Sequence, residues 1–112
     1  MPPDRIRQIN ELLRNELAAE IHRSLNLPTN VFVSITKVKT APDLHNATVY
    51  VSILPDSKTG SVLQLLEKKI KWLGHEIMPR VSIKHFPRLH VRLDETERQA
   101  AQIEHLLDTL HQ

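Results

Sequence analysis

The sequence predicts an α+β domain in which helices pack a three-stranded sheet, in the order helix, strand, strand, helix with a break, strand, helix. Three observations predict it. Apolar residues recur at spacings of three and four over residues 4–25, 59–77 and 94–110, the period of an amphipathic helix. Between the first two of these segments, two stretches rich in β-branched residues alternate with period two. The 112 residues are 40% hydrophobic and 25% charged. That is the balance of one globular domain over residues 1–112, which at this size buries roughly 65% of the surface of its unfolded chain.

In the first segment Ile6, Ile9, Leu12, Leu13, Leu17, Ile21 and Leu25 form the apolar stripe. Pro2 and Pro3 suit a helix start, and Asp4 favours its positive end. Arg7, Glu11, Arg14, Glu16 and Glu20 make the other face solvated surface with charge pairs one turn apart. Residues 26–30, Asn-Leu-Pro-Thr-Asn, end the helix. Residues 31–38 form a strand with Val31, Val33 and Ile35 on one face and Phe32, Ser34 and Thr36 on the other. Residues 47–54 form the next, with Ala47, Val49, Val51 and Ile53 opposed to Thr48, Tyr50 and Ser52. The turn chemistry of Thr40-Ala41-Pro42-Asp43 leaves no room for a crossover helix, so the two strands pair antiparallel as a hairpin, closed by Pro55-Asp56-Ser57. From Thr59 the helical period returns in Val62, Leu65, Leu66, Ile70, Leu73 and Ile77. Gly74 interrupts it at a cost of about 1 kcal/mol relative to Ala and marks the expected kink, and Pro79 cannot extend the helix. Residues 89–93 make a short third strand. Asp94 as N-cap with Glu97 three residues on then opens a last helix, about 94–112, with Ala100, Ile103, Leu107 and Leu110 inward.

Much chemistry is excluded at once. The chain has no cysteine, hence no disulfide scaffold, thiolate zinc site, iron–sulfur cluster or cysteine nucleophile. Two glycines, Gly60 and Gly74, are too few for a phosphate loop of the Walker or GxGxxG kind. No apolar run approaches the roughly 20 residues of a membrane span and no signal-peptide pattern is present, so a cytoplasmic protein without a membrane partner is expected. Of the seven histidines, no pair has the helical spacing of a metalloprotease motif. A zinc site from His75, His85 and His90, in a small metal-dependent hydrolase, is the rival that folding would have to assemble. Asp43, Asp56 and Asp94 sit where turns and caps use aspartate. Neither enzyme, metal nor cofactor is expected.

The net charge of +2 hides a segregation. Residues 68–92 carry Lys68, Lys69, Lys71, Arg80, Lys84, Arg88 and Arg92 against Glu76 alone, a local +6. Residues 93–112 carry a local −4, and the first 67 residues sum to zero. The seven cations, with Arg5 and Arg7 as secondary members, are the expected phosphate contacts of an RNA-binding surface. Arg88 and Arg92 have a structural alternative in Asp94, Glu95 or the acidic tail. Aromatic residues are sparse: Tyr50 sits at a polar phase of its strand, where it can stack a base, and Trp72 falls off the apolar stripe and is expected to pack the helix against the sheet. The competing class is a ferredoxin-like protein–protein module whose basic segment is merely solvated.

Three stretches resemble the ribosome-binding factor A family of small bacterial assembly factors. They are Arg5-Ile6-Arg7-Gln8-Ile9-Asn10 with Glu16-Leu17; Ile35-Thr36-Lys37-Val38, Ala41-Pro42-Asp43-Leu44 and Ala47-Thr48-Val49-Tyr50-Val51-Ser52; and Pro87-Arg88-Leu89 with Val91 and Leu93-Asp94-Glu95. The resemblance runs from about Arg5 to Leu107 and implies a type II KH-like fold. It implies a monomeric, non-enzymatic factor that binds the immature small (30S) subunit and its 16S rRNA, supports late maturation and 5′-end processing, and is tied to growth in the cold. The family's Ala-x-Gly kink would fall at Lys69-Ile70-Lys71, which has neither residue: either Gly74 takes over the break three residues later or the helix runs on more evenly, and two lysines stand on the element the resemblance makes RNA-facing.

Overall fold

A computed structural model describes residues 3–96 and residue 107. Its elements are α1 (Pro3–Ser24), β1 (Phe32–Thr40), β2 (Asn46–Leu54), α2 (Thr59–Ile77) and β3 (Arg88–Leu93), with 3₁₀ turns at Asp56–Lys58 and Met78–Arg80. The order is the predicted one through β3. Of the last predicted helix, Asp94 and Glu95 precede the helical Thr96, Leu107 is helical, and the rest lies outside the described residues. Leu107 is 50% exposed, not turned inward: helical spacing says which residues share a face, not that a partner surface covers it.

Both helices cover one face of the sheet. Ile9, Leu13, Leu17 and Ile21 of α1 and Val62, Leu66, Leu73 and Ile77 of α2 pack on Val33, Ile35, Val38, Ala47, Val49, Val51, Ile53 and Leu89. Each valine, leucine and isoleucine among them contributes about 1.5–3 kcal/mol through burial. Leu12, predicted in the stripe, is 39% exposed, because adjacent helical positions diverge by about 100° and Leu13 takes the core. Buried Thr40 is satisfied from α1: its N–H and Oγ1 donate to Asn10 Oδ1 at 2.9 and 2.6 Å.

The sheet order is β1-β2-β3, with β1 and β2 antiparallel and β3 a parallel edge strand beside β2. A β-bulge interrupts the first pairing: Ile35 faces Val51 and Lys37 faces Tyr50, leaving Thr36 as the extra residue. The bulge changes phase. Val33 and Ile35 before it and Val38 and Thr40 after it are all buried, while Lys37 and Lys39 turn to the outer face. Thr36 Oγ1 donates to Asp94 Oδ2 at 2.5 Å, the Asp94 N–H bonds the Val51 carbonyl at 2.8 Å, and Asp94 Oδ1 accepts the Thr96 N–H at 2.9 Å. The end of β3 is thereby tied across β2 to the bulge on β1. These bonds, the Thr36 hydroxyl first and the Thr96 donors next, hold the Asp94 carboxyl down at about 2.

The hairpin turn positions the start of β3. The Ala41 N–H bonds the Asn46 carbonyl, Asp43 Oδ1 accepts the His45 N–H, and the His45 carbonyl accepts the Arg88 N–H, at 2.8, 2.9 and 2.9 Å. Leu44 takes a left-handed φ of 65°, which costs a residue other than glycine about 1 kcal/mol, and its side chain packs on the edge of the core.

The expected kink at Gly74 is corrected. Helix α2 runs unbroken to Ile77, and the Met78 N–H still bonds the Gly74 carbonyl. A Cβ at position 74 would meet Leu89 Cδ1 at 3.2 Å and Phe86 Cε1 at 3.5 Å. Glycine is used here for close approach of β3 to the helix, not for backbone freedom, and the chain turns only where Pro79 removes a donor.

Two expectations follow from this packing. Gly74→Leu should overpack the α2–β3 contact and cost about 1–3 kcal/mol, read as a lower urea midpoint at unchanged slope. Thr36→Val should release the Asp94 carboxyl toward its ordinary 3.8. A depressed carboxylate stabilises the fold above its ordinary range and stops doing so as it protonates. The wild type should therefore be the more stable at neutral pH, with the difference shrinking as pH falls from 3.8 to about 2 in parallel urea titrations.

Candidate functional site

The second half of α2 and the segment entering β3 enclose an open groove of about 610 Å³. Ile70, Gly74, Phe86 and Leu89 give it an apolar floor, and Lys71, His75, Arg88, His90 and the turn residue His45 stand along it. The missing side chain at Gly74 sets the depth of that floor. His90 is steadied by a 2.9 Å hydrogen bond between its Nε2 and Asn46 Oδ1.

The groove opens onto the sheet face that the helices leave uncovered. Register sets cations there in rows: Lys37, Tyr50 and Arg92 in one, Lys39, Thr48 and His90 in the next, then Asn46 beside Arg88. Lys37 Nζ lies 4.6 Å from the centroid of the half-buried Tyr50 ring, a cation–π contact of about 0.5–1 kcal/mol at an exposed site. Among the described residues, Lys37, Lys39, Arg88 and Arg92 form no ion pair, so the alternative pairing of Arg88 and Arg92 with Asp94 or Glu95 is not made. The acidic tail beyond lies outside the described residues. Asp94 lends Lys37 a partial counter-charge, but the cations of these rows outnumber it and raise the positive potential of this face, which suits a polyanion.

The residues nominated by sequence divide. Lys71 and Arg88 line the groove and Arg92 continues it onto the sheet. Lys68 and Lys69 are exposed on α2, and Lys84 is exposed in the loop before β3. Arg5 is exposed in the first turn of α1, where Arg7 pairs with Asp4 at 3.0 Å, and neither lines the groove. Arg80 is withdrawn from the phosphate set. Its Nε reaches Glu16 and its terminal nitrogen reaches Glu20, both at 3.0 Å, fastening the end of α2 to α1. Glu20, 3% exposed, also accepts from Arg23 and from Ser24 Oγ. The Arg23 hydrogen bond, against burial and aided by Ser24 and Arg80, holds its carboxyl below the usual range. Trp72 does not pack against the sheet as expected: it is 43% exposed, on the flank of α2 toward the end of α1.

Sequence reasoning missed Lys37 and Lys39, because their charges vanish in the neutral sum of the first 67 residues, and His45, which that sum counts as uncharged. One signal could have found the two lysines. The apolar phase slips between Ile35 and Val38, and a bulge there is what turns Lys37 and Lys39 outward. Of the three histidines of the zinc rival, His75 and His90 line the groove and His85 does not. Among the described residues no three His, Asp or Glu side chains are grouped to hold a metal ion, and no described helix is long and apolar enough to cross a membrane.

Fold and surface together define a small α+β domain with its helices on one sheet face, an open basic face opposite, and a groove joining the two along an edge strand. The chain belongs to the ribosome-binding factor A family, whose model matches residues 5–107. It is 36% identical over 113 aligned positions to ribosome-binding factor A of Thermomicrobium roseum, covering 100% of this chain and 88% of the relative. It is 34% identical over 106 positions to that of Chlamydia pneumoniae, covering 92% and 88%. In fold it is similar to the crystal structure of ribosome-binding factor A from Thermus thermophilus, with TM-score 0.69 at 20% identity over 79% of this chain and 94% of the other. A homology model of the Thermus thermophilus protein, fitted into a cryo-EM map of its 30S complex, gives TM-score 0.63 at 22% identity over 76% and 90%.

The division of labour among the cations is open to measurement. Arg80→Gln should lower the urea midpoint by leaving buried Glu20 short of a partner. Lys84→Gln, at an exposed position, should leave stability within about 0.5 kcal/mol.

Proposed function

We propose that this protein binds the small (30S) ribosomal subunit during its assembly, docking on 16S rRNA through the groove and the open sheet face, and supports late maturation and 5′-end processing of that RNA. The observation that carries the reading is the set of cations without an ion pair on the open face, Lys37 in one row with Arg92, Lys39 in one row with His90, and Arg88 beyond them, continuous with Lys71 in the groove. Family membership supports the ribosome as the partner, and the relative from Thermus thermophilus has been fitted in a 30S complex.

The mechanism needs no catalytic group. Lysine and arginine displace condensed counter-ions from the RNA backbone, which gives affinity without reading sequence. The sheet, stiffened by two helices on its back, holds those cations at fixed spacing, so little side-chain ordering beyond the long basic chains is left to the binding step. The apolar floor of the groove accepts sugar or base surface while the rim meets phosphate. Such a factor acts as a cytoplasmic monomer and leaves when the finished particle no longer offers that RNA surface. The rival reading, a protein-interaction module, finds its support at one place, the cross-strand pair Phe32 and Leu54, which are 67% and 56% exposed.

Co-sedimentation in sucrose gradients tests the proposal. The protein should travel with free small subunits and not with complete ribosomes, and a Lys37→Glu, Arg88→Glu, Arg92→Glu variant should remain at the top of the gradient with unchanged thermal melting. Binding to isolated RNA should weaken linearly in log–log salt titration, with each single Ala substitution of these residues lowering the slope by roughly 0.7–0.9. Affinity indifferent to salt would overturn the phosphate model.

A further inference from the structure

Helix α2 has a second flank that the groove does not use. Trp72, the single tryptophan of the chain, borders a depression of about 380 Å³ lined by Ser24, Leu25, Asn26, Leu65, Lys69 and Trp72 itself. An indole offers a large apolar area that folding normally hides, yet 43% of this residue remains in water beside a space the fold leaves open. Lys68 and Lys69, four and three residues before Trp72, are its neighbours on the helix surface, and both are exposed. Among the described residues neither lysine forms an ion pair. Lys68 is in turn one helical step from Lys71, and Lys71 from His75, so an arc of cations runs round the outside of α2 from the groove to the tryptophan. Residues 68–75 include no acidic side chain; Glu67 and Glu76 bound the stretch, and Glu76, one turn beyond Trp72, sets one carboxylate against the two lysines one turn before it.

An exposed aromatic surface flanked by free lysines, at the mouth of a small cleft, is the arrangement that binds unpaired nucleotides: the ring stacks on a base and the cations take the adjoining phosphates. We propose that Trp72 is a stacking platform for one unpaired nucleobase of the bound RNA, with Lys68 and Lys69 on the flanking phosphates and the Asn26 amide placed to meet the base edge. The charge of the surround selects RNA over an apolar protein segment as the occupant. The inference rests on the RNA-binding reading and adds to it a contact with a base, where the groove and sheet supply contacts with backbone.

The single tryptophan makes the test direct. The full-length protein is titrated with a dye-labelled single-stranded oligoribonucleotide of mixed sequence, following dye anisotropy for binding and indole emission for stacking. Binding should quench Trp72 emission in step with the rise in anisotropy. Trp72→Leu, with circular dichroism melting to confirm folding, should weaken binding about tenfold, whereas Trp72→Phe should stay within about threefold of wild type. If anisotropy rises and the emission does not change, or if Trp72→Leu binds as well as wild type, the stacking site is wrong and the RNA-binding reading stands. If no oligonucleotide binds at all, both fall. A Trp72→Leu variant that loses the small subunit while keeping wild-type affinity for oligonucleotide would assign the cleft to a protein partner and also overturn the proposal.

Discussion

One extra residue in β1 organises the surface of this protein. Strict alternation from Val33 and Ile35 would carry Lys37 and Lys39 into the core, where an unpaired ammonium costs several kcal/mol. The bulge at Thr36 shifts the phase, so Val38 and Thr40 are buried and both lysines face solvent. It also frees the Thr36 hydroxyl, which reaches Asp94 at the far end of β3. A single irregularity therefore keeps the core apolar, puts two cations on the open face, and anchors the edge strand that brings Arg88 and Arg92 beside them.

The same economy shows at the contact between α2 and β3. Gly74 lets Leu89 and Phe86 approach the helix closely, and the residues that meet there are the floor of the groove. Packing and binding surface are two sides of one contact. Its far end is held by a different device, the pairing of Arg80 with Glu16 and Glu20, which commits a cation to joining two helices. A basic residue in a basic segment can thus be structural when the fold delivers a buried carboxylate to it, whereas Arg88 and Arg92 receive none among the described residues and stay available to a polyanion.

Much of the fold was legible because each element is encoded locally. The helical stripes of residues 4–25 and 59–77, the hairpin and the short third strand all appear as predicted. The site was legible only in part. Lys71, Arg88 and Arg92 fell within a run of positive charge, but a sum over a segment cannot show that Lys69 and Lys71 sit on opposite flanks of one helix or that Arg80 turns back to α1. Gly74 was misjudged for a related reason: helix propensity counts its cost in isolation, while the tertiary contact with Leu89 explains its presence.

By itself the sequence determined the class of domain, the order of its elements through β3, the absence of thiolate chemistry and the presence of a basic segment. These follow from periodicity, turn chemistry and composition, which act over a few neighbouring residues. The tertiary structure alone decided which charges become neighbours. Lys37 and Arg92 lie 55 positions apart and meet in one row because the register of β1 on β2 and of β2 on β3 puts Tyr50 between them. Register is set by the burial of one sheet face and by the bulge that preserves it, and no local propensity carries that information.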